Sequence, residues 1–125
     1  MREPICVFTA AEALIVCRKW QGRLGLLDWD VQVRIVRSVE LEGCQGHCKF
    51  VTDRKQATIL LLEREDYLLA GRQWPQDHEQ TLVHELLHLH TVWWGSEADS
   101  HERTLEEQMI HLLAKAFIEM SRRSE

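Results

Sequence analysis

The 125-residue chain has no apolar run near the ~20 residues a bilayer-spanning helix requires. It also has no excess of positive charge. Formal net charge is −5, acidic and basic residues are mixed throughout, and no basic stripe recommends a nucleic-acid partner. The first ten residues hold one Arg, one Glu and a Pro, which is not a secretion signal. Repeats, low-complexity tracts and linkers are missing as well. The expectation is one domain, residues 1–125, in the cytoplasm, with no membrane or nucleic-acid partner.

Four cysteines are present: Cys6, Cys17, Cys44 and Cys48. Without a secretion signal they are expected as thiols. Cys44, His47 and Cys48 stand close together, but the spacing is C-x3-C and no matching ligand pair follows. Reduced thiols in a glycine-containing turn are expected there, and a structural metal site is the alternative.

The chain does contain His84-Glu85-Leu86-Leu87-His88, within a segment that reads as helix from Asp77 to Trp94. Asp77 is placed as N-cap with Gln80 at N3, Pro75 lies just outside, and Gly95 is a natural terminator. Leu82, Val83, Leu86, Leu87, Leu89 and Val92 make the helix a buried one. Histidines at i and i+4 lie about 40° apart around a helix and one turn apart along it, so both imidazoles can reach one ion. Neutral imidazole suits Zn²⁺. Glu85 sits beside the pair, where its carboxylate can take a proton from water at the metal. The competing reading is a helix with two hydrogen-bonded histidines and a solvated glutamate.

A catalytic zinc usually takes three protein ligands. Beyond His88 the helix runs about six residues, roughly 9 Å, before the chain reverses at residues 95–100. A last helix, Asp99 to Arg122, running back antiparallel returns to the level of His88 at Glu106 and Glu107. Ile110, Leu113, Ala114 and Phe117 mark its inward face, and helical phase favours Glu107. Glu106, His111, His101 and Asp99 remain alternatives for the third ligand. His90, at i+2 from His88, should face away from the metal, while His111 is a candidate to orient a ligand or touch substrate. Arg72, Trp74 and Trp93 are candidates to line a cleft, and Tyr67, the only tyrosine, to stabilise an oxyanion.

Elsewhere, Thr9 to Leu24 reads as a helix capped by Thr9 with Glu12 at N3. Strands are expected over Leu27 to Val36, Lys49 to Val51 and Ala57 to Leu62, with one helical turn at Asp66 to Gly71. The order gives an α+β fold: an N-terminal helix, a small twisted, mostly antiparallel three-stranded sheet, the motif helix and a C-terminal helix.

Thr81 to Leu89, followed by Leu105 to Ile110, resembles the zincin metallopeptidases. The downstream helix glutamate is similar to the gluzincin branch, and the size resembles its minimal members in phage and bacterial genomes. The resemblance implies that His84, His88 and Glu107 bind Zn²⁺ and that Glu85 is the general base. It implies a zinc-dependent metallopeptidase acting on a peptide or protein, with the strand Ala57 to Leu62 as the edge that receives an extended substrate. Three features depart from the pattern. No metzincin extension follows His88, and no cysteine-rich ribbon follows the last helix. Glu106 and His111 stand where gluzincins usually have Asn and Asp. That altered surrounding motivates the alternative, a non-catalytic zincin-fold module that binds zinc and engages a protein partner.

Overall fold

The computed structural model describes residues 3–124. Helix α1 (Ala10–Leu24) begins with the expected reciprocal cap: Thr9 Oγ1 accepts from Glu12 N–H at 3.2 Å, and Thr9 N–H donates to Glu12 Oε1 at 2.8 Å. It stops at Gly25, whose φ of 73° suits a residue without a Cβ. Buried Gln21 then donates to the carbonyls of Leu26 and Trp29, which leads the chain into strand β1 (Asp30–Val36). The helix stop delays that strand beyond the expected start at Leu27.

Strand β2 (Gly46–Val51) and strand β3 (Gln56–Leu62) complete a sheet of order β1-β3-β2. β1 pairs with β3 in parallel, from Asp30↔Gln56 to Val36↔Leu62. β2 pairs with β3 antiparallel, from Gly46↔Leu61 to Val51↔Gln56. The sheet is therefore mixed, which corrects the mostly antiparallel expectation. It also moves Ala57–Leu62 from the edge to the centre. The reason is visible in the strand itself: Ala57, Ile59 and Leu61 face the main core, while Leu60 and Leu62 join Val36, Leu41 and Tyr67 on the other side. A strand covered on both faces carries an unbroken apolar run.

Helix α2 (Arg64–Leu69) starts two residues before the helical turn expected at Asp66 to Gly71 and ends two residues earlier. Asp66 anchors it to the end of β1 by accepting from Arg37 at 2.9 and 2.8 Å and from Ser38 N–H at 2.7 Å. Helix α3 (His78–Thr91) runs into a 3₁₀ turn, Val92–Trp94, and ends at Gly95 with φ 65°. Asp77 caps it by accepting from Gln80 N–H at 3.2 Å. Leu82, Val83, Leu86 and Leu89 bury α3 against the sheet and α1. Helix α4 (His101–Arg123), capped by Ser100, packs on α3 through Ile110, Ala114 and Ile118. Its Arg122 grips the α3 cap, donating to both oxygens of Asp77 at 2.8 and 3.0 Å.

Of the expected tail, Met1 and Arg2 lie outside the described residues. Ile5 and Cys6 run beside Gln76 and Asp77, with Ile5 N–H donating to Gln76 O at 2.9 Å and His78 N–H to Cys6 O at 2.8 Å. No helix among the described residues is long and apolar enough to cross a membrane.

Candidate metal centre

The α3–α4 pair brings His84, His88 and Glu107 together, the one group of three such donors among the described residues. The two imidazoles lie 5.2 Å apart, as spacing at i and i+4 requires. Their Nε2 atoms converge on one carboxylate: His84 Nε2 is 3.3 Å from Glu107 Oε2, and His88 Nε2 is 3.0 Å from Glu107 Oε1. Zinc held tetrahedrally at 2.0–2.1 Å separates its ligand atoms by about 3.3 Å. The N/O donor set and these separations fit that ion. Burial, ahead of every other cause, lowers the basicity of both histidines. They are thus held in the neutral form that a metal needs.

Glu106 is not directed at the same point. Its carboxylate is buried, accepts from Thr91 Oγ1 at 2.9 Å, and lies 3.6 Å from His88 Nδ1, on the far side of the ring from Glu107. It therefore orients His88 from behind. His111 is exposed, with its ring 6.4 Å from that of His84 and facing the cleft. His101 and Asp99 lie at the start of α4 and in the turn before it, and do not join the group. His90 points away, as expected, with Nε2 2.6 Å from Leu24 O.

Glu85 is 8% exposed, and burial pushes its carboxyl up to about 8, with Glu107 adding to the effect and Arg103 opposing it. A dication at the three donors would draw that value back down, toward the range of a general base at neutral pH. Strand β2 crosses close to this residue because position 46 is glycine. A Cβ there would stand 2.5 Å from Thr81 Cγ2 and 3.6 Å from Glu85 Cγ.

These groups open into a cleft of about 1110 Å³ bounded by β2, α3 and α4. Arg72 and Trp74 line it, but Trp93 does not. Tyr67 borders it too, but its hydroxyl donates to the Trp74 carbonyl and its ring belongs to the smaller core. The sequence reading passed over Arg103, whose Nε lies 3.8 Å from Glu107 Oε1 and whose charge reaches Glu85 and His88. The signal was its position four residues before Glu107. Cys44, His47 and Cys48 form no metal-holding group among the described residues, and both cysteines are free. Cys48 is a buried residue of β2, with burial raising its thiol to about 12, and Cys44 is exposed.

No protein-family model, curated protein or solved structure matches this chain.

Proposed function

We propose that the chain is a zinc-dependent endopeptidase of zincin type, with His84, His88 and Glu107 as ligands and Glu85 as general base. The observation that carries this reading is the convergence of two imidazole Nε2 atoms on one carboxylate, beside a buried glutamate in an open cleft. When bound, zinc acidifies water and polarises a carbonyl oxygen. Glu85 takes a proton from the attacking water as its oxygen joins the carbonyl carbon. It delivers that proton to the amine as the C–N bond breaks. Glu106 and Thr91 hold His88 in one orientation throughout.

The substrate is a peptide or protein in extended form. β2 borders the cleft and pairs with β3 on one side alone, so it offers backbone groups for strand addition, the part first assigned to β3. All four cysteines are free, which suits a reducing, cytoplasmic setting.

A second reading is favoured by Glu106. Standing behind His88 at Nδ1, its carboxylate would add electron density to that imidazole, which together with Glu107 would offset the charge of an ion held there and weaken its pull on water. On that reading the chain is a non-catalytic zinc-binding module that engages a protein partner. Elemental analysis with a cleavage assay on an unfolded protein separates the two. About one zinc per chain with cleavage that vanishes in Glu85→Gln supports the peptidase. Zinc without cleavage supports the module. No zinc after reconstitution removes both.

A further inference from the structure

A helix packed on one side of a core should carry its polar residues opposite that core. α4 does not. Taken at about 100° per residue, Thr104, Gln108, His111, Lys115 and Glu119 occupy one side of the helix, next to the cleft. Leu105, Met109, Leu112, Leu113, Ala116 and Met120 fill the solvent face, about 180° from Glu107. They are exposed, Leu112 at 65% and Met120 at 62%. The stripe runs most of the length of a 23-residue helix. It ends in Glu102 on one side and Arg123 on the other. Neither of these side chains has a hydrogen-bond or ion-pair partner among the described residues.

We infer that this face binds a second copy of the chain, with two α4 helices antiparallel about a two-fold axis between Leu112 and Leu113. That axis sets Leu105 against Met120, Met109 against Ala116 and Leu112 against Leu113 of the other copy. The same register brings Glu102 against Arg123 at both ends, so the charges match as well as the apolar positions. A parallel pair would set Glu102 against Glu102 and Arg123 against Arg123. A partner of different sequence would not require the stripe to complement itself. The apolar residues alone offer on the order of 500 Å² per copy, which with the polar rim reaches the lower range of specific interfaces. The cleft, on the opposite side of α4, stays open in each copy.

Sedimentation across a concentration series tests the inference. The expected result is a dimer at tens of micromolar. Leu112→Glu should weaken it at least tenfold, with unchanged helical circular dichroism and zinc content. Glu102→Arg should weaken it roughly two- to fivefold, as exposed ion pairs do, and adding Arg123→Glu should restore it. In a Cys44→Ser background, Leu112→Cys should cross-link between copies and Leu105→Cys should not. A monomer at about 100 μM would overturn the inference. So would a dimer indifferent to Leu112→Glu, or equal cross-linking at both positions, which marks a parallel or unrelated contact.

Discussion

The same two helices, α3 and α4, meet at two polar junctions, one near each end. At one, Asp77 caps α3 and receives both guanidinium donors of Arg122, so the acid has a permanent cation. At the other, Glu107 faces His84 and His88, which burial keeps neutral, and Arg103 reaches it at 3.8 Å only. The first junction is electrostatically complete. The second brings together donors whose mutual attraction is small until a cation joins them. A carboxylate aimed at neutral nitrogens is thus a different object from one aimed at arginine, although both appear as close contacts between α3 and α4.

The largest expected effect separates the junctions by metal. His84→Ala and Glu107→Ala should each lose bound zinc, while Arg122→Ala should keep it; elemental analysis reads this directly. Glu85→Gln should also keep zinc and lose about 10²–10⁴-fold in cleavage rate.

Next in size is stability. Arg122→Ala leaves Asp77 buried without its cation and should cost about 1–3 kcal/mol in urea unfolding, below the figure for a fully buried pair because Arg122 is partly exposed. Zinc loss from Arg122→Ala would show that the two junctions are one unit.

Gly46→Ala should disturb the metal end alone. Its Cβ meets Thr81 Cγ2, so β2 or α3 must shift, at about 1–3 kcal/mol. Thr81→Ser removes that methyl group and should recover most of the loss. Failure to recover would place the strain at Leu60 O, 3.2 Å from the same Cβ.

The smallest effect is on pH dependence, measured in a chain carrying His84→Ala, Glu85→Gln and His88→Ala so that the metal end is silent. Burial holds the His78 imidazole below its ordinary value, and its Nδ1 accepts from Phe8 N–H at 3.0 Å. The neutral ring therefore contributes stability above about pH 6.5, lost as pH falls through the lowered value. The Arg37 guanidinium beside Asp66 holds its carboxyl well below the usual range. That contribution is present above about pH 4 and is lost only below it. Urea midpoints should fall in two steps on acidification, and His78→Gln should flatten the first.

The convergence of His84, His88 and Glu107 was legible because its geometry is local. Spacing at i and i+4 fixes the histidines, and 1.5 Å per residue brings Glu107 back to their level. In sequence Glu106 rivals Glu107 as a ligand because one position of helical phase separates the two. Its partner, His88 Nδ1, depends on how the ring turns. The sheet was harder. The unbroken apolar run of β3 held the signal of a central strand but was read as an edge. β2 was expected to start at Lys49 because Gly46, His47 and Cys48 look like turn residues, whereas Gly46 is there to let α3 approach. Asp77 and Arg122 lie 45 residues apart, and nothing near either one announces the other.

The mixed sheet also bears on the time course of folding. β1 and β3 lie parallel across a separation of 26 residues, and the chain must double back through β2 between them before that pairing is complete. His84 and Glu107 lie 23 residues apart within a helical hairpin and need no strand to meet. Zinc present during refolding should therefore clip α3 to α4 early and present a formed platform to the sheet. Stopped-flow traces would show this as a faster main phase with zinc, and as no change in His84→Ala.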